Sequence, residues 1–372
     1  WMVRTFPAPV YCFHEIVHNK SVVDRFIAQG VIFVDSIEEV PIGSPIMLSA
    51  HGSAPEIVAA ARSRGSYVVD AVCPLVTKVH HEVKTRAAKG YHIVYIGHEG
   101  HEEAVGTMAV APASISRVES LEEVKALPQF DSNVAMLAQT TLSHREWNEI
   151  AVHVRERFPD VWTPGKSDLC FATTNRQTAL ISIASTVDAF VIIGSSNSSN
   201  TRALERLAIE AGCSQVFRIN SFEELPKDLY GTVGVTAGAS APEELVQGVL
   251  EFLAPSEGVE EIFVTEEDEY FPPPRNIRDM QMAIDTAITM VDLTTLEGAD
   301  TPGTVKALCT KAVRPDPTDS AVPSVGAVCV YNDMVAVARK HLDLIGGQHV
   351  PVAAVSTAFP SGRASMPVKI QD

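Results

Sequence analysis

Short apolar runs that end in a polar corner and lead into residues at helical spacing recur along almost the whole chain. Val10–Phe13, Val31–Val34 and Pro45–Ser49 read as strands that end in turn residues. Further strands are expected at 92–97, 133–137, 189–194 and 232–236, with helical stretches between them. Alternation of this kind constrains the fold to α/β units with largely parallel sheets. In such sheets ligands gather at the carboxyl ends of the strands. The polar clusters of this chain sit at positions of that type.

Two corners stand apart because each carries a cysteine. Ser66–Val69 feeds into Asp70-Ala71-Val72-Cys73-Pro74, and Val76, Val79, Val83 and Ala87 then fall at helical spacing. A second corner of the same kind runs Asp168-Leu169-Cys170-Phe171-Ala172-Thr173-Thr174. At a strand-to-helix corner, free backbone N–H groups and the helix dipole favour a thiolate. Two such corners suggest one shared metal centre fed by repeated units. The alternative is a pair of buried core cysteines, which is what most free cysteines are.

The other corners are rich in groups that can hold an anion or move a proton. His14-Glu15-Ile16-Val17-His18 has the spacing of zinc proteases, whose chemistry requires both histidines on one helical face. Here the segment follows a strand directly, and Asn19 reads as the cap of a helix that starts afterwards. Ser49-Ala50-His51-Gly52 ends a strand. Gly97-His98-Glu99-Gly100-His101-Glu102-Glu103 could supply metal ligands, a proton donor with its partner, or a solvated loop. Gln139-Thr140-Thr141-Leu142-Ser143 pairs hydroxyls before a cap at Ser143. Six consecutive Ser and Asn residues at 195–200 precede a helix expected near Ala203, and Thr236–Ser240 ends another strand, with Pro242 expected at a first helical position. Capping explains one Ser or Asn per corner; donor-rich helix starts of this kind suit phosphate.

Composition narrows the partners. A net charge of −17 argues against nucleic acid and anionic membranes, so an anionic ligand needs a locally built site. Six dispersed cysteines fit a reducing compartment. No apolar run is long enough to span a membrane and no secretory leader is present, so a cytoplasmic location is expected. The chain begins at Trp1 and enters an apolar strand almost at once, so a truncated amino terminus is expected.

Residues 10–278 resemble the 4-hydroxy-3-methylbut-2-enyl diphosphate reductase family of isoprenoid biosynthesis. The resemblance rests on HEIVHN at 14–19, SAHG at 49–52, DAVCPLVTKVH at 70–80, IGHEGHEEAVGTM at 96–108, QTTLS at 139–143, CFATTNRQ at 170–177, NSSN at 197–200 and TAGASAPE at 236–243, all in order. It implies three α/β units in a pseudo-threefold arrangement around a [4Fe–4S] cluster, here spanning 1–72, 73–168 and 169–278. It implies Cys73 and Cys170 as cluster ligands. His18, His51, His101, Ser198, Ser199, Asn200 and Ser240 would hold the diphosphate, with Glu103 as proton source and Thr140 beside the substrate hydroxyl. A small allylic diphosphate would be reductively dehydroxylated to isopentenyl and dimethylallyl diphosphates, with electrons from an external donor such as ferredoxin or flavodoxin.

Val72, Glu102, Ala138 and Phe171 stand where the family usually has Thr, Pro, Thr and Tyr. The family's first cysteine motif, Gly-Phe-Cys-Ala-Gly, is absent from these residues, and Cys12, inside a strand, is a poor substitute. Impaired activity and unstable, substoichiometric iron are therefore expected of the chain as written. From 279 to 372 the sequence resembles the amino-terminal part of deoxyribose-phosphate aldolase, in Met290–Leu296, Ala327–Tyr331 and Ala358–Gly362. That resemblance implies a partial (β/α)8 barrel, with Asp292 and Cys329 at pocket positions. The family's Schiff-base lysine is missing and Lys369 is no replacement, so a catalytically silent, weakly stable tail is expected. The rival functional readings are an inactive fusion fragment that keeps only a diphosphate-binding shell, and a zinc hydrolase built on His14 and His18.

Overall fold

The computed structural model describes residues 1–262, 264, 275–297 and 299–355. The chain divides into two compact units, Trp1–Pro272 and Pro273–Asp372. Among the described residues no helix is long and apolar enough to cross a membrane.

The first unit contains three separate parallel sheets. One holds β1 (Val10–Phe13), β2 (Val31–Val34), β3 (Pro45–Leu48) and β4 (Tyr67–Asp70) in the order β2-β1-β3-β4. The next holds β5 (His92–Ile96), β6 (Ile115–Val118) and β7 (Val134–Ala138) in the order β6-β5-β7. The third holds β8 (Ala189–Ile193), β9 (Val216–Ile219) and β10 (Val233–Ala237) in the order β10-β8-β9. All pairings are parallel. In each sheet the first strand lies between the second and the third. Connections therefore leave the first strand in opposite directions, which opens a crevice at its carboxyl end. The six polar corners at 14–18, 49–52, 97–101, 139–140, 194–200 and 238–240 lie at the ends of β1, β3, β5, β7, β8 and β10, the strands that flank these crevices.

β7 and β8 are buried along their full length, as strands covered on both faces must be. Val94, Ile96, Met136 and Val154 pack on one side of the second sheet, and Val79, Val83, Tyr95 and Leu137 on the other. β6 and β9 were not expected from the sequence. Both are edge strands, and Ile-Ser-Arg-Val and Val-Phe-Arg-Ile carry polar residues that break the apolar run.

Two helix starts differ from the sequence expectation. The helix expected near Ala203 runs Ser199–Glu210, because the Ser198 side chain caps it by accepting from the Thr201 N–H at 3.3 Å. Ser199 and Asn200 are thereby drawn into its first turn. Pro242 is the cap of Glu243–Leu253 and not its first residue.

The second unit contains β11 (Asp292–Thr294), β12 (Ala327–Val330) and β13 (Val352–Ala354), parallel and in sequential order, with helices Arg275–Thr289, Pro302–Val313 and Val335–Leu344. Val305, Cys309, Val328 and Leu342 form its core. Asp292 is exposed at the start of β11, and Cys329 is half-buried opposite Thr294. Residues 358–362 and Lys369 lie outside the described residues.

Candidate active site

The segment after β1 does not form a helix. His14 takes φ +59°, a left-handed turn that redirects the chain as it leaves the strand. Helical structure resumes only at Lys20, where Asn19 caps by accepting from the Val22 N–H at 3.1 Å. His14 and His18 are therefore not one helical turn apart, and the zinc-protease geometry does not form among the described residues.

His18 is instead gathered with histidines from two other corners. The rings of His18 and His51 stack with centroids 4.2 Å apart, and His101 stands edge-on 6.0 Å from each. Burial, reinforced by the neighbouring His51 and His18, pushes His101 down to about 3, so it is neutral at physiological pH. Its Nδ1 accepts from the Glu103 N–H at 3.2 Å and caps the Glu102–Met108 helix, which leaves the ring hydrogen on Nε2. Burial also lowers His18.

Glu102 and Glu103 are adjacent in sequence and opposite in state. Burial alone would raise the Glu102 carboxyl, but hydrogen bonds from His14 and His51 outweigh it and hold the group well below the usual carboxylate range. The contacts are His51 Nδ1 to Glu102 Oε2 at 2.9 Å and His14 Nδ1 to Oε1 at 3.4 Å. Glu103 is only 1% exposed, and burial raises its carboxyl to about 7 against the opposing pull of Thr140. The Thr140 N–H donates to Oε1 at 2.7 Å and its hydroxyl to Oε2 at 2.9 Å. A carboxyl near 7 exchanges its proton at physiological pH, which suits a general acid.

Both cysteines cap helices at the same place. Cys73 precedes Pro74–Ala88, and its N–H donates to the Ala50 carbonyl at 3.0 Å, beside His51. Cys170 precedes Phe171–Ile183, and its N–H donates to the Thr140 carbonyl at 2.7 Å. Cys170 and Glu103 both lie within electrostatic reach of the Cys73 thiol. The sequence suggests a depressed thiol at Cys73, yet burial raises it, because desolvation outweighs the Leu75 and Val76 N–H groups. Lys78 joins the two corners. Its Nζ donates to the Lys166 and Ser167 carbonyls at 2.9 Å each and to buried Asp168 Oδ1 at 3.1 Å, while Asp168 Oδ2 accepts from the Ala138 N–H at 3.2 Å.

Corners of the third sheet bond to the segment after β1. The Lys20 N–H donates to Ser195 Oγ at 2.8 Å, Asn197 Nδ2 to Glu15 Oε2 at 2.9 Å, and Ser240 Oγ to the His18 carbonyl at 3.3 Å. Ser198, Ser199 and Asn200 are buried, and neither amide atom of Asn200 has a partner among the described residues. An unpaired buried amide costs about 1–3 kcal/mol, and a polar ligand would recover that loss.

A family profile described as LytB protein matches residues 2–254. This chain belongs to the LytB family. The 4-hydroxy-3-methylbut-2-enyl diphosphate reductase of Rhodopirellula baltica is 44% identical over 283 residues, which cover 74% of this chain and 88% of that protein. The enzyme of the same name from Leifsonia xyli subsp. xyli is 44% identical over 282 residues, covering 74% and 84%. The solved structure of the Plasmodium falciparum E-1-hydroxy-2-methyl-but-2-enyl-4-diphosphate reductase matches with a TM-score of 0.72 and 30% identity, over 76% of this chain and 92% of that one. A second solved structure, of (E)-4-hydroxy-3-methyl-but-2-enyl diphosphate reductase, matches with a TM-score of 0.52 and 30% identity, over 68% and 90%.

The residues of this LytB chain fit part of an iron–sulfur cluster. Cys73 and Cys170 offer two thiols at one place. Cys12 does not fit as a third, because it is fully buried in β1 between β2 and β3 and burial pushes its thiol up to about 12. Of the residues singled out in the sequence, the structure brings Glu103 to Thr140 and the three histidines to one another; the parts that hold them are not apparent in the sequence. His14, Glu15 and Asn197 anchor the histidine cluster, and Lys78 with Asp168 ties the cysteine corners. The Asp ahead of each cysteine was the available signal. Two glycines set the remaining spacing. Gly52 takes φ +86°, and a Cβ on Gly106 would run into the Gly52 carbonyl oxygen, so only glycine lets the Glu102–Met108 helix come this close to His51.

Proposed function

We propose that this chain is a reductase that removes the hydroxyl of 4-hydroxy-3-methylbut-2-enyl diphosphate to give isopentenyl and dimethylallyl diphosphates. The observation that carries the reading is the meeting of two cysteine corners with a buried carboxyl raised to about 7. The allylic C–O bond breaks, two electrons and one proton enter the carbon skeleton, and a second proton leaves with the hydroxyl as water. The electrons come from an external donor such as ferredoxin or flavodoxin, by way of an iron–sulfur cluster held in part by Cys73 and Cys170. Glu103 holds the proton for the departing hydroxyl, and the Thr140 hydroxyl, bonded to that carboxyl, orients the leaving oxygen.

His18, His51 and His101, with Ser198, Ser199, Asn200 and Ser240, bind the diphosphate. The neutral His101 offers its Nε2–H, and the unpaired Asn200 amide supplies a buried donor. The start of Ser199–Glu210 adds free N–H groups for the same anion. The repeated winding of the three sheets supports a pseudo-threefold arrangement around this site. The tail is read as an aldolase-like βα fragment without aldolase chemistry.

The test uses protein purified without oxygen, reconstituted with iron and sulfide, and supplied with a strong one-electron reductant. Conversion of the hydroxylated diphosphate, counted per iron bound, is expected. Bound iron and sulfide with no conversion would overturn the reading.

A further inference from the structure

The fold breaks the helical reading of His14–His18 but assembles a different donor set. One ligand atom from each of His18, His51 and Glu102 lies within 4.8 Å of the other two. The three come from separate places: the loop after β1, the turn after β3, and the first turn of Glu102–Met108. All are half-buried, so an ion could reach them while bulk water is partly excluded. We propose that His18, His51 and Glu102 form a binding site for a divalent transition-metal ion of the zinc class.

Two imidazoles and one carboxylate suit zinc and its neighbours, whereas magnesium and calcium prefer oxygen ligands throughout. Zinc bonds of about 2.0–2.2 Å put tetrahedral ligand atoms roughly 3.3–3.6 Å apart. His51 Nδ1 and Glu102 Oε2 are already closer than that, at 2.9 Å, so the ion would take the place of the hydrogen they share. The His18 ring is stacked nearly parallel on His51, so it has to turn for its in-plane lone pair to reach the same ion.

Contacts behind the three residues match what a metal site needs. Glu15 Oε2 lies 3.3 Å from His18 Nδ1, which fixes the hydrogen on Nδ1 and leaves the Nε2 lone pair free to coordinate. Asn197 holds Glu15 in turn. His14 Nδ1 lies 3.4 Å from Glu102 Oε1, which leaves Oε2 for the ion. Three protein ligands leave a fourth position open to a water or an anionic oxygen. His18 and His51 are also read above as diphosphate ligands, so the ion and the anion would share this site, the anion meeting the open fourth position.

The full chain should be titrated with Zn2+ against a chromophoric chelator, and with Co2+ followed by visible absorption. The same titrations should be run in a Cys73→Ser/Cys170→Ser double variant, which removes the thiols of the two cysteine corners. One ion per chain is expected to remain in that variant, with a cobalt spectrum of nitrogen and oxygen ligation and no thiolate charge-transfer band. Glu102→Gln, which keeps the size and most polar contacts, and His51→Asn should each weaken binding at least tenfold. The proposal is overturned if the double variant binds no ion. Unchanged affinity in Glu102→Gln and His51→Asn would also overturn it.

Discussion

Glu103 sits at the first turn of a helix, where the dipole favours a charged carboxylate, yet burial wins and raises the group to about 7. That outcome has two measurable consequences. Glu103→Gln should bind inorganic pyrophosphate normally while turnover falls by about 10²–10⁴-fold, the scale of a positioned proton donor. Wild-type turnover should fall as pH rises through about 7, and the Gln variant should lack that limb. Stability follows the same titration. The carboxyl is protonated more readily in the folded chain than in the unfolded one, where its ordinary value is 4.5. Its contribution is full below about 4.5 and is lost as pH rises through 7, by at most about 1.4 kcal/mol per pH unit. Melting temperature measured from pH 4 to 8 should therefore decline more steeply in the wild type than in Glu103→Gln.

At the scale of elements, the site is built where strands become helices, and backbone contacts there tie one sheet to the next. The Cys73–Ala50 and Cys170–Thr140 bonds fix each thiol to a neighbouring corner, and Lys78 spans the two. Lys78→Met should leave Asp168 buried with its charge uncompensated and cost about 3 kcal/mol in denaturant unfolding. Adding Asp168→Asn should recover most of the loss; a single variant as stable as wild type would remove this bridge from the account. The strand-to-helix corners were legible in sequence because glycine, hydroxyl and histidine residues interrupt clear apolar runs there. The start at Ser199 was not, since several consecutive residues could cap and only packing chooses Ser198. Glu102 was visible as a departure at one position, but its contacts with His14 and His51 depend on three distant corners meeting. The Cys73 thiol was misjudged for a related reason: sequence reveals a helix start, and burial is a property of the assembled fold.

For the whole molecule, the polar corners of the first unit converge, while the second unit has its own sheet and core. Truncation after Pro272 is expected to leave the melting temperature and pyrophosphate affinity of the first unit unchanged. A shift of more than a few degrees would show that the two units stabilise each other. The central claim is that Cys73 and Cys170, each capping a different helix of the first unit, hold one iron–sulfur centre. Iron and acid-labile sulfide should be measured after anaerobic reconstitution of the wild type, Cys73→Ser and Cys170→Ser. The account predicts iron with sulfide in the wild type and loss of most of both in either variant. Equal iron and sulfide in all three proteins, or none in the wild type, would contradict it.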